Sequence, residues 1–229
     1  MHKIVFNRIG AQGPDGLKDA DPNDHICAWL GAIIALGGAA VIAGWVWRIP
    51  VLISALPQWP TMKITTALSF VLSGISLVFV GRQYRRPLPF ADVVLPLCSL
   101  TILLIMATFL ITTLLQISSG LEDLIVREKS DVGSIQPGKP AVGSMIAFAA
   151  LALASLISLV PTYRLTRLLR GIGWLVALVG LAAILGFAFD VPEMRWCVEG
   201  RSSGMAFHSA FLFVLNGAGL VLAAAKRAG

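Results

Sequence analysis

The sequence predicts an all-α fold: a polytopic membrane protein with six transmembrane helices, laid out as three successive hairpins with both termini in the cytoplasm. Three observations carry this. Of the 229 residues, 57% are hydrophobic and only 13% charged, with a mean hydropathy of +0.83. A soluble domain carries about 45–50% apolar and about 25% charged residues. Six runs lack Asp, Glu, Lys and Arg altogether: Ile26–Trp47, Ile64–Gly81, Val93–Leu121, Pro140–Tyr163, Gly171–Phe189 and Ser202–Ala225. Each can cover the ~20 residues that a bilayer core requires. Finally, charge is distributed unevenly between the segments that join these runs.

Residues 1–25 are mostly polar, with Gly13-Pro14, Asp15-Gly16 and Asp21-Pro22 as turn signals. No basic stretch leads straight into a short apolar core, so this is not a secretion signal. It reads as an irregular cytoplasmic tail in front of a six-helix transmembrane domain over 26–229, with Asp21 or Asn23 capping the first helix. With the tail inside, segments 1–25, 82–92, 164–170 and 226–229 hold 11 of the 18 basic residues and five acids, a net of +6. The outer segments hold seven bases, Lys63, Lys139 and Arg195 among them, and seven acids. This bias sets orientation. Basic residues on the inner face answer to anionic lipid, and the inner loops are too short to form a nucleic-acid surface.

Three outer loops are expected. The first, 48–61, is apolar but broken by Pro50, Pro57 and Pro60. It cannot span, and reads as a short element in the outer interface, with Trp45, Trp47 and Trp59 at headgroup depth. The second, 118–143, is the most polar; Gly120–Val126 reads as a short amphipathic turn, and Pro137-Gly138-Lys139-Pro140 as a tight turn. The third, 190–204, contains Val191-Pro192 and Trp196-Cys197.

The returning helices repeat a pattern. Met62, Thr66, Ala67, Phe70 and Gly74 in the second match Met205, Ser209, Ala210, Phe213 and Gly217 in the sixth, and Asn216 falls level with Ser73. The fourth carries a fainter copy in Met145, Ala150 and Leu153. Small residues let helix backbones approach closely in lipid. Gly37, Ala40 and Gly44 on the first helix, Gly74 and Gly217 on the returning ones, and Gly173 and Gly180 on the fifth are expected to line such contacts. Asn216 needs a partner on another helix, worth roughly 1 kcal/mol.

The residues exclude several chemistries. No span carries an internal charge, whereas transport and proton relays depend on one. Pro96 and Pro161 fall near inner helix ends, not at mid-membrane where transporters break their helices. Val71-Leu72-Ser73-Gly74 lacks the first glycine of an intramembrane serine protease. The three histidines, His2, His25 and His208, cannot clasp one haem iron, since His25 and His208 lie at opposite faces. His208 with Met62, Met145 or Met205 has the donor types for copper, but methionine is a common gap-filler, so no metal ligands are assigned. Cys27 and Cys98 fall near the inner face and Cys197 outside, which gives no shared thiol site. No cofactor is expected, though lipid can fill gaps between helices.

The motifs resemble the membrane-embedded N-terminal sensor regions of bacterial histidine kinases and diguanylate cyclases. The resemblance runs over Met62–Phe70, Met205–Phe213, Gly120–Leu124, Pro137–Lys139 and Gly186–Pro192, and covers most of the chain from Ile26 to Arg227. It implies a non-enzymatic input module of the bacterial cytoplasmic membrane, taking part in signal transduction. Only Lys226–Gly229 follow the last span, so kinase or cyclase activity is not carried over, and an output must come from a separate membrane or cytoplasmic protein. The ligand-binding residues expected at the outer helix starts are Trp59, Thr65, His208 and Ser209. A different class fits the same residues: an accessory or assembly subunit of a larger membrane complex.

Overall fold

A computed structural model describes residues 22–56, 58–83, 90–117, 138–160, 163–196 and 204–226. These form α1 (Pro22–Trp47), α2 (Pro50–Ile53), α3 (Ile64–Gln83), α4 (Ala91–Leu115), α5 (Val142–Ser158), α6 (Tyr163–Ala188), a 3₁₀ turn (Pro192–Arg195) and α7 (Phe207–Lys226). The described chain is entirely helical. Five helices, α1, α3, α4, α6 and α7, are long and apolar enough to cross a bilayer, which makes this a multi-pass membrane protein. The fourth expected span is shorter than its apolar run: α5 has 17 residues, at the lower limit for a crossing. Its hydrogen-bonded turns stop before Pro161, whose ring disfavours a helical residue in front of it.

Other boundaries also differ from expectation. α1 begins at Pro22, so Asn23 lies inside the helix, and Asp21 falls outside the described residues. α4 ends at Leu115 instead of Leu121. α6 begins at Tyr163, so the expected inner loop 164–170 is helix; nothing there breaks a helix, and its arginines favour one. The amphipathic turn expected at Gly120–Val126 and Cys197 fall outside the described residues.

The hairpins are α1 with α3, α4 with α5, and α6 with α7. They are arranged around a pseudo-three-fold axis. Each returning helix also packs on the outgoing helix of the next hairpin: α3 on α4, α5 on α6, α7 on α1. α3, α5 and α7 meet at the centre, where Phe70, Phe148 and Phe213 stack with ring centroids 4.7–4.8 Å apart. Accordingly 56% of the α3 and α7 spans is buried, against 28–33% of α1, α4 and α6.

This triad corrects the register of the repeat. Phe148, not Leu153, occupies the position of Phe70 and Phe213; all three phenylalanines are fully buried, while Leu153 is 48% exposed. In this register Thr66, Ser144 and Ser209 form a layer of buried hydroxyls one turn nearer the hairpin loops, and Ser73, Leu151 and Asn216 form the next layer on the other side. Met145 then stands where the other hairpins carry Ala67 and Ala210.

The first and third hairpins share one seam. A Cβ on Gly74 would lie 2.6 Å from the Gly31 carbonyl oxygen, and one on Gly38 2.5 Å from that of Ala67. In the third hairpin Gly217 meets the Gly173 carbonyl, and a Cβ on Gly180 would lie 2.5 Å from that of Ala210. So α1 uses Gly31 and Gly38 here, not Gly37 and Gly44. Gly37 faces the Leu212 side chain of α7, Gly44 faces Leu52 and Ile53 of α2, and Ala40 is exposed. The spacing from Gly31 to Gly38 places both on one face, and the periodicity puts Gly37 a hundred degrees round the helix.

The outgoing helices end alike. Arg48, Gln116 and Asp190 each adopt a left-handed conformation, with φ of 56°, 58° and 53°. In each case the next amide reaches five residues back: Ile49 to Gly44, Ile117 to Thr112, Val191 to Gly186, at 2.8–3.0 Å. These are the carbonyl-satisfying bonds of a Schellman ending, normally built on glycine.

Candidate functional site

The three hairpins open their loop-side helix ends at one end of the bundle, and the candidate residues collect there. The first loop is pinned by its own polar groups: Ser54 Oγ donates to the carbonyls of Leu56 at 2.6 Å and Trp59 at 3.1 Å. It is tied to the helices by Trp45 Nε1, which donates to the Met62 carbonyl at 2.8 Å, and by the Met62 amide, which donates to Ile53 at 2.9 Å. Trp45 and Trp59 are therefore half-buried packing residues, while Trp47 is exposed.

Trp59 reaches across to the third hairpin. Its ring lies 4.6 Å from Phe187 on α6 and 5.3 Å from Phe207 at the start of α7, and these two pack edge-on at 5.6 Å. Arg195 sits over Phe187, with Cζ 5.0 Å from the ring centre. Its Nη2 pairs with Asp190 Oδ1 at 2.6 Å, and its carbonyl accepts from the Met205 amide at 2.7 Å. Trp196 turns the other way: its indole donates to the Val179 carbonyl at 3.2 Å and covers Gly143 on α5, where a Cβ would lie 2.5 Å from the ring. The first and third loops thus clasp neighbouring hairpins as well as their own.

Polar atoms without partners stand at this end of the bundle. His208 Nδ1, Arg195 Nε and Thr65 Oγ1 are buried and make no hydrogen bond among the described residues. Buried polar groups are usually paired, and an unpaired one costs about 1–3 kcal/mol. Of the four expected ligand residues, His208 and Ser209 follow Phe207 in the cluster, and Trp59 packs on that phenylalanine. Thr65 occupies on α3 the position that His208 occupies on α7. Ser209 belongs to the buried hydroxyl layer with Thr66 and Ser144.

Lys63 and Lys139, read from sequence as loop charges, are buried, at 4% and 2% exposure. Lys139 Nζ donates to the carbonyls of Ile117 at 2.8 Å and Thr112 at 3.5 Å, a cation at the negative end of the α4 dipole. Lys63 Nζ lies 3.4 Å from Thr61 Oγ1. Their one legible signal is position, since each precedes an apolar run by no more than a few residues. Gly138 has φ of 85°, the turn expected of Pro137-Gly138.

Met62, Met145 and Met205 are all buried. Met62 and Met205 occupy equivalent positions, whereas Met145 lies five residues deeper in the corrected register. Among the described residues no three His, Cys, Asp or Glu side chains are grouped closely enough to hold a metal. Comparison with protein-family models, curated proteins and solved structures found no match to this chain.

Proposed function

We propose that the chain is a non-enzymatic input module with six membrane spans, α5 included, and with both termini in the cytoplasm of a bacterial cell. It takes up a cue from the lipid phase or the periplasm at the loop end and passes a helix shift to a separate protein. The observation that carries this reading is the clasp of Trp59, Phe187, Phe207 and Arg195, with the unpartnered polar atoms of Arg195 and of His208, the residue after Phe207, and a third on Thr65 at the equivalent position of α3. Polar atoms left unsatisfied in a preformed apolar setting are the mark of a recognition site.

The bundle supplies a route for the response. α7 starts inside the clasp and runs the length of the protein, packing on α6 along the glycine seam and on α1. A ligand that binds one position of α7 better than another shifts its equilibrium by that difference in affinity, and by no more. The far end of α7 is where a partner would read the shift.

The test is purification of the natively expressed protein in mild detergent, with mass spectrometry of what accompanies it. Recovery of a kinase or cyclase, enriched over a Trp59→Ala variant, supports the input module. Fixed-ratio recovery within a large membrane assembly, unchanged in that variant, overturns it in favour of the accessory subunit.

A further inference from the structure

The start of a helix favours negative charge, because the first amides carry the positive end of its dipole. α6 starts the other way. Its first turn holds no acid, and Arg164, Arg167 and Arg170 follow one another at intervals of three residues. The helices on which it packs do not compensate: α5 and α7 contain no Asp or Glu. Asp92, at the same end of the bundle, begins α4, which packs on α3 and α5. Arg167 already has an interaction within the chain, so the weight falls on Arg170, which is exposed.

The exposed side of α6 is where lipid lies. Arg167, Arg170, Gly171, Trp174 and Leu178 fall within about 100° of arc, and all five are exposed, Trp174 at 58% and Leu178 at 57%. The other side carries Gly173 and Gly180, pressed on the backbone of α7. Arg170 thus stands one turn, about 6 Å, from a lipid-facing tryptophan, a residue that favours headgroup depth. Between them the helix is bare: a Cβ on Gly171 would meet nothing within 4 Å.

The other two outgoing helices lack this combination. One turn before the exposed Trp29, α1 carries His25 and Ile26, and α4 opens with Asp92, which repels an anion. General attraction of a basic face for acidic lipid does not distinguish the three helices; the sequence Arg, bare glycine, tryptophan along one lipid-facing side does.

We propose that this side of α6 binds one anionic phospholipid. Its phosphate meets Arg170 beside Arg167, its glycerol lies over Gly171, and an acyl chain runs along Trp174 and Leu178. A zwitterionic phospholipid offers the same phosphate but brings its own cation next to the arginines, so net negative charge is selected. The site lies at the opposite end of the bundle from the aromatic clasp, and requires only that α6 cross a membrane.

The test is native mass spectrometry of the purified, delipidated protein in detergent, titrated with phosphatidylglycerol or with phosphatidylcholine of the same acyl chains. One phosphatidylglycerol is expected to bind with a half-saturation at least about threefold below that of phosphatidylcholine. Arg170→Gln removes most of that preference, and Arg170→Lys keeps it. Arg82→Gln takes the same charge from the same end of the bundle, at the end of α3, and leaves the preference unchanged. Both arginines are exposed, so these exchanges leave the packing intact. A smaller preference in the wild type overturns the proposal, as does a preference that survives Arg170→Gln. Equal effects of Arg170→Gln and Arg82→Gln also overturn it, since binding would then follow net charge and not a site.

Discussion

Asn216 Nδ2 donates to Ser73 Oγ at 2.8 Å, joining α7 to α3 at equivalent positions of the first and third hairpins. Both side chains are buried, and Ser73 in turn lies 3.2 Å from the Phe70 carbonyl, to which it can donate. In lipid such a bond is worth roughly 0.6–2 kcal/mol. Ser73→Ala and Asn216→Leu are each expected to destabilise the bundle by about 1 kcal/mol. A double-mutant cycle, read by denaturant unfolding in bicelles, should return a coupling of similar size; additive effects would mean that the two side chains do not bond.

The register of the repeat is tested at α5. Phe148→Ala should match Phe70→Ala and Phe213→Ala, at or below about 3–5 kcal/mol, because each leaves the same hole in the triad. Leu153→Ala should fall within about 0.5 kcal/mol of wild type, since surface changes rarely exceed that. Equal losses at positions 148 and 153 would restore the register read from sequence.

The glycine seams predict a sharp contrast between positions. Gly74→Ala and Gly217→Ala press a methyl group into the partner backbone, and should cost about 1–3 kcal/mol or more. Gly171→Ala meets nothing within 4 Å and should be neutral or stabilising by up to about 1 kcal/mol. Proteolytic resistance in detergent against temperature ranks the three variants.

The left-handed helix ends offer a gain. Gln116→Gly should stabilise the protein by about 0.5–1 kcal/mol, because a side chain in this conformation costs about 1–2 kcal/mol. Asp190→Gly should gain less, since it also removes the ion pair with Arg195. Lys139→Met should instead cost about 1–3 kcal/mol by stripping the α4 carbonyls of their donor, and hydrogen exchange at the end of α4 should quicken.

Orientation has its own measurement. A reporter fused after Gly229 is expected to be cytoplasmic, and one inserted near Gly133 periplasmic. If α5 failed to cross, only α6 and α7 would separate the two sites, an even number of crossings that places both reporters on the same side.

The helical class, the approximate position of every long helix, the equal depth of Ser73 and Asn216 and the need of Asn216 for a partner on another helix were all legible in the sequence; that Ser73 is that partner was not. Runs without charge announce helices because lipid cannot satisfy a free backbone amide. Matching positions in two repeats announce matching depths because α3 and α7 have the same rise per residue. What only the tertiary structure decided is where unlike residues become equivalent. Phe148 joins Phe70 and Phe213 although Met145, not Phe148, invites the alignment. Gly31 and Gly38, not Gly37 and Gly44, receive α3. Arg48, Gln116 and Asp190 do the work of glycines without looking like them. Lys63 and Lys139, charged and beside loops, are buried. Each depends on which neighbour lies across a seam, and on whether backbone carbonyls there need a donor. Those are properties of the packed bundle, and no single run of residues contains them.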